Sequence, residues 1–101
     1  MLLEEERKMS YRNQIKIIAD ILTVAKDYGE EDGVGITTLL RRANLSYSRL
    51  VKLLKDLIKA GLIIEIEKEK GSKYMISEKG IKFLEVYAQF EDFAQSFGLK
   101  L

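Results

Sequence analysis

The stretch from Ile36 to Ile66 reads ITTLLRRANLSYSRLVKLLKDLIKAGLIIEI, and its apolar spacing changes character twice. A short helix fits Thr37 or Thr38 to Ala43, with Leu39 and Leu40 inward and Arg41 and Arg42 outward. Asn44-Leu45-Ser46 then makes a three-residue turn, and the Ser46 hydroxyl can accept from the first free amides of a following helix. Leu50, Leu53, Leu54, Leu57 and Ile58 recur at helical spacing, which predicts that helix over Tyr47 to Ala60. Gly61 supplies its left-handed terminus. From Leu62 to Lys68 the pattern alternates around Ile64 and Ile66, a strand signal.

Outward from this segment, Lys70-Gly71-Ser72 reads as a turn and Lys73 to Ile76 as a returning strand. Ser77 can cap a last helix from Glu78 to about Phe97. Upstream, Ser10 can cap a helix from Tyr11 to about Tyr28, with Ile15, Ile18, Ile21, Leu22 and Ala25 on one face and Gly29 as its stop. The acidic stretch Glu30 to Gly35 reads as a loop. Three helices, a β-hairpin and a fourth helix form the winged helix-turn-helix plan. The expected class is mainly α with a small β-hairpin and a long C-terminal dimerisation helix. The expected divisions are an N-terminal extension over 1–9, a winged helix-turn-helix domain over 10–77 and a coiled-coil dimerisation helix over 78–101.

The chain's 101 residues, 47% hydrophobic and 33% charged, suit one domain with one core. It has no cysteine and no histidine, which removes disulfide scaffolds, cysteine zinc sites and the commonest general base. An enzyme is not expected, and neither a cofactor, a metal nor a small-molecule substrate. No apolar run approaches the roughly 20 residues that cross a bilayer, and Met1-Leu2-Leu3-Glu4-Glu5-Glu6 has the wrong charge for a signal peptide. A soluble cytoplasmic protein, nucleoid-associated, is the expectation. Many charges with few Asn and Gln fit a thermophile's habits.

Net charge is only +1, but its distribution is uneven. Residues 36–61 carry Arg41, Arg42, Arg49, Lys52, Lys55 and Lys59 against the single acid Asp56, a local charge of +5, so the remainder sums to −4. Ser48, Lys52, Lys55 and Lys59 share one face of the third helix, opposite the leucines. A positive helix after a tight turn suits the major groove, where Ser and Arg read base edges and Lys neutralises phosphate. The competing reading is a solvated helix face that happens to be rich in lysine. On the DNA reading Ser48, Arg49 and Lys52 face the groove, Arg41, Arg42 and Lys55 meet phosphates, and Tyr47 belongs to the same DNA-binding set. The wing residues Lys68, Lys70 and Lys73 join them. Glu65, Glu67 and Glu69 bring the hairpin's charge to zero, so a hairpin that only closes the core is an equal alternative.

Phe83, Tyr87, Phe90, Ala94, Phe97 and Leu101 step by four and three, a heptad seam. A domain this small cannot cover about 20 residues, roughly 30 Å, of helix. Pairing with the same helix of a second copy is therefore expected, through Phe83, Tyr87, Phe90, Ala94 and Phe97. The alternative is that the helix folds back on the N-terminal segment, through Leu2, Leu3 and Met9. Gly33-Val34-Gly35 lacks the spacing of a dinucleotide loop and Glu30-Glu31-Asp32-Gly33 that of a calcium loop, so neither supports a cofactor.

Ala43-Asn44-Leu45-Ser46-Tyr47, with Ile17-Ile18-Ala19-Asp20-Ile21-Leu22, Gly61-Leu62-Ile63 and Tyr74-Met75-Ile76-Ser77-Glu78-Lys79-Gly80, resembles the archaeal winged-helix family of small Sulfolobus chromatin proteins of the 10a type. The resemblance covers roughly residues 13–85. It implies double-stranded DNA binding, largely independent of sequence, by a homodimer joined through an antiparallel coiled coil of C-terminal helices. The chain departs from the family's pattern at Ile36-Thr37-Thr38, where members often place a basic residue, and in a net charge lower than theirs. The expected function is that of a chromatin, architectural or transcription-regulating factor. The alternative is a winged-helix protein-interaction module that does not bind DNA.

Overall fold

The computed structural model describes the backbone of residues 2–99 and the side chains of residues 14–99. Helix α1 spans Leu2–Gly29, strand β1 Val34–Gly35, helix α2 Ile36–Ala43 and helix α3 Tyr47–Lys59. Strands β2 (Ile63–Lys68) and β3 (Gly71–Ile76) form the hairpin, and helix α4 covers Glu78–Ser96. The winged helix plan is present, with the C-terminal helix following the hairpin directly.

Three expectations are corrected. Helix α1 does not start at Tyr11: its backbone is helical from Leu2, so Ser10 lies within the helix and does not cap it. The run Leu2 to Met9 consists of good helix formers, and no Gly or Pro interrupts it. The proposed fold-back contacts of Leu2, Leu3 and Met9 lie outside the described side chains. The stretch over 30–35 is not all loop, because Val34 and Gly35 pair with Tyr74 and Lys73 and make the sheet three-stranded, in the order β1-β3-β2. A two-residue strand is too short to show any periodicity. Finally, the phase of β2 is reversed. Pairing Ile63 with Ile76 and Glu65 with Tyr74 turns Ile63 inward, 1% exposed, and leaves Ile64 51% exposed. A shift of one residue moves every side chain to the other face of the sheet.

The core joins Ile21, Leu22, Val24 and Ala25 of α1, Leu39 of α2 and the α3 leucines to Val34, Ile63 and Tyr74 of the sheet. Most of the first helix's expected stripe is buried here, although Ile15 is exposed. The helix ends follow local chemistry. Asn44 adopts a left-handed conformation (φ 55°) and Leu45 N–H reaches back to the Leu40 carbonyl at 3.2 Å, closing α2. Gly61 (φ 81°) repeats the device after α3, with Leu62 N–H donating to Leu57 O at 2.9 Å.

The start of α4 is clamped to this second terminus. Ser77 Oγ accepts from Gly80 N–H at 3.0 Å as the helix cap and donates to the Gly61 carbonyl at 2.5 Å. Ser77 N–H donates to Leu62 O at 3.0 Å. Gly80 allows this approach, since a Cβ there would overlap the Leu62 carbonyl and sit 2.6 Å from Ile76 Cγ1. The end of α3 and the start of α4 are thus one packed junction.

Candidate nucleic-acid interface

Helix α3 divides cleanly. Leu50, Leu53, Leu54 and Leu57 are buried, whereas Tyr47, Ser48, Arg49, Lys52, Lys55 and Lys59 are exposed. The apolar stripe fixes the rotation of the helix and so dictates which side chains face water. The Ser46 hydroxyl accepts from Arg49 N–H at 3.4 Å, a long capping contact that keeps the first turn at the domain surface. Arg41 and Arg42, on the last turn of α2, are exposed next to the α2–α3 turn. Arg42 is also held: its guanidinium lies 4.7 Å from the centroid of the Tyr28 ring, a cation–π contact with the end of α1.

The wing residues separate. Lys68 and Lys70 are exposed at the tip, where the turn closes through Gly71 at φ 115°. Lys73 is not at the tip. It pairs with Ile66 on one side and Gly35 on the other, in the middle of the sheet. Its side chain is half-buried and lines an open hollow with Tyr28, Glu30, Glu31 and Asp32. By register Lys68 and Lys73 share one face of the hairpin, but Lys73 lies further from the tip, in the middle strand of the sheet, and Lys68 and Lys70 alone sit at the tip.

Tyr74 marks where the wing meets the start of α3. It is buried, and burial above all holds its phenol above the ordinary 10.0. The facing Glu65 carboxylate raises it further, Ser72 lowers it and Tyr47 adds a smaller increase. Glu65, from the wing, and Tyr47, from the first turn of α3, thus both act on the same hydroxyl. In the sequence Glu65 is only one of the hairpin's diluting charges; its position at this junction depends on register.

The expected seam on α4 is split between two faces. Phe83 and Tyr87 are half-buried and stacked, with ring centroids 6.5 Å apart, and Ala94 is buried. Phe83 packs on the domain core, and Tyr87 turns toward α1, where burial, Glu91 and Asp20 raise its pKa. Phe90 and Phe97 lie instead on a second stripe with Val86 and Phe93, each more than half exposed. Phe93 and Phe97 meet edge-on at 5.1 Å. The open stripe 86-90-93-97 keeps the four-three-four spacing of a helix seam, one position out of phase with 83-87-94.

Among the described residues no polar or charged side chain is buried, and no group of three His, Cys, Asp or Glu could hold a metal ion. No described helix is long and apolar enough to cross a membrane. The described residues present exposed cations on α2 and α3 and an aromatic face on the separate helix α4.

Helix, tight turn, helix and hairpin, with the second helix of the pair exposing its polar face, define a winged helix-turn-helix domain. The chain belongs to the winged helix-turn-helix family, whose sequence model matches residues 11–95. The resemblance to the Sulfolobus 10a type is matched in three dimensions. Sso10a-2, described as a DNA-binding protein from Sulfolobus solfataricus, superposes with a TM-score of 0.68 at 25% identity, covering 82% of each chain. A MepR variant from a multidrug-resistant S. aureus clinical isolate has the same fold, with a TM-score of 0.64 at 16% identity over 95% of this chain and 76% of its own. A riboflavin kinase of Pyrococcus furiosus is 39% identical over 67 residues, 64% of this chain. The chain spans about a third of that relative's length, 32%. Only 16 residues of this chain lie outside 11–95, so most of that match falls within the winged-helix region.

Proposed function

We propose that this chain binds double-stranded DNA as a homodimer and serves as a chromatin, architectural or transcription-regulating factor. The carrying observation is the exposed cationic surface on α2 and α3, where Arg41, Arg42, Arg49, Lys52, Lys55 and Lys59 project from a rigid helix pair with Asp56 as the sole acid. Ser48, Arg49 and Lys52 would face base edges, and Tyr47 would enter at the helix start. Arg41 and Lys55 would meet phosphates, with Arg42 doing so from its perch on Tyr28. Lys68 and Lys70 can reach the backbone from the wing tip, whereas Lys73 is engaged with the sheet. The DNA-binding description of Sso10a-2 supports this reading. Nucleoid association in the cytoplasm follows from it as part of the same proposal.

The homodimer rests on the open stripe Val86, Phe90, Phe93 and Phe97, an apolar surface that water disfavours and a second copy would cover. The same stripe favours one alternative, a protein-interaction module whose aromatic helix receives a different partner. The winged-helix region accounts for most of the likeness to the riboflavin kinase, so no kinase chemistry is proposed.

Fluorescence anisotropy against a random duplex, titrated with salt, tests the DNA reading. Affinity should fall steeply, with a log–log slope of about −0.9 per phosphate neutralised. Arg49→Ala with Lys52→Ala should weaken binding strongly while leaving the thermal transition in place. Unchanged affinity in that double variant would refute the assignment of α3 as the DNA-facing helix.

A further inference from the structure

The hairpin sorts its charges by face. In β2, Glu65 and Glu67 alternate with Ile64, Ile66 and Lys68. Ile63 lies on the same face as Glu65 and Glu67, and it is buried with Tyr74 in the core that also takes the α3 leucines. The two glutamates therefore continue the α3-facing side of the wing outward, past the edge of the core, and both are exposed. Lys68 falls on the opposite face, together with Lys73, which lines an open hollow with Glu30, Glu31 and Asp32. Tyr74 marks the arrangement, because Glu65 sits directly across from it and it is buried in the core that takes the α3 leucines, with Tyr47 of α3 adding a small upward push to its phenol pKa.

A duplex lying along α3 would bring its phosphates to the side of the wing that is negative. We propose that Glu65 and Glu67 are selectivity residues: they hold phosphates off the α3-facing side of the wing, so that affinity for arbitrary duplex rests mainly on α2 and α3, with the wing's contribution limited to Lys68 and Lys70 at its tip. Base contacts from α3 then make up a larger share of total affinity than in a protein whose wing is basic throughout. The inference rests on the DNA-binding reading above and adds a restraining element to it. It also gives the net charge of +1 a mechanical meaning, since part of the missing positive charge is missing at the interface.

The test replaces both acids by their neutral isosteres, Glu65→Gln with Glu67→Gln. The control, Glu85→Gln with Asp92→Asn, changes net charge equally at two exposed positions on α4. Each carboxylate a few ångströms from a phosphate in water should cost about threefold in affinity, so the pair should tighten binding to random duplex about tenfold. The gain should shrink at high salt, and the control should stay near wild type. Binding of random duplex by the double variant when wild type shows none would support the proposal equally. A gain no larger than the control's would overturn the selectivity role and leave the DNA reading standing. Absence of binding by wild type and every variant at low salt would overturn both. An ultraviolet titration of tyrosinate gives a readout free of DNA: Glu65→Gln should lower the Tyr74 midpoint. An unmoved midpoint would place Glu65 away from the α3–wing junction and remove the basis of the proposal.

Discussion

Gly80, Asn44 and Tyr74 show how single residues set this molecule's limits. A methyl group on Gly80 has nowhere to go, because the Leu62 carbonyl and the Ile76 side chain already occupy the space. Gly80→Ala should lower stability by about 1–3 kcal/mol, the usual range for overpacking, read as a reduced denaturant midpoint. Asn44 closes α2 in the left-handed region, so Asn44→Ala should cost about 1 kcal/mol and Asn44→Gly little or nothing. Equal midpoints for those two variants would contradict the left-handed terminus. Tyr74 and Tyr87 carry the pH dependence. Both phenols are raised above 10.0 in the fold, so the native state retains protons that the unfolded chain releases first. Stability is therefore fully present below the unfolded value and falls as pH rises above about 10. Tyr74→Phe should flatten part of that alkaline loss in a series of melting curves.

Among the elements, the junction between α3 and α4 matters most. Ser77 is at once the cap of α4 and a donor to the last carbonyls of the α3 turn. Ser77→Ala should cost about 1–2 kcal/mol, more than an isolated cap, because the Gly61 carbonyl loses its partner as well. Ser46, whose capping contact is long at 3.4 Å, should cost less when changed to Ala, about 0.5 kcal/mol. A reversed order in chemical denaturation would mean that the α3 start, not the α4 start, is the tighter joint. The helices and the hairpin were legible in the sequence because leucine spacing, glycine stops and serine caps are local signals. Strand β1 was not, since Val34 and Gly35 become a strand only by lying next to β3. Neither was the inward turn of Ile63, because Leu62, Ile63 and Ile64 offer apolar side chains to either phase and only pairing with Ile76 selects one.

For the whole molecule, the radius of gyration is 14.6 Å, where a compact chain of this length would have about 13 Å. The principal extents of 48 × 29 × 22 Å show an elongated body, as expected when α1 and α4 are long helices that pack together. The aromatic stripe of α4 remains on the outside of that body. On the homodimer reading, Phe90→Asp should yield monomers in analytical ultracentrifugation without loss of helical signal. Tyr87→Ala should instead loosen the packing of α4 on its own chain and lower the melting temperature. If Phe90→Asp stays dimeric, the interface is elsewhere; if wild type is already monomeric, the stripe is free for another protein.

The sequence by itself determined the order of elements, the helix that exposes its cations and the presence of an aromatic surplus on the last helix. Each of these follows from spacing within one segment, where i, i+3 and i+4 neighbours suffice. Tertiary structure alone decided which aromatics stay outside, which face of the wing is acidic and where Lys73 goes. Those outcomes depend on the register between strands and on the rotation of α4 against α1. Both are fixed by contacts between residues far apart in the chain, such as Ile63 with Ile76 and Gly80 with Leu62. Local patterns determine the parts; long-range packing determines which way each part faces.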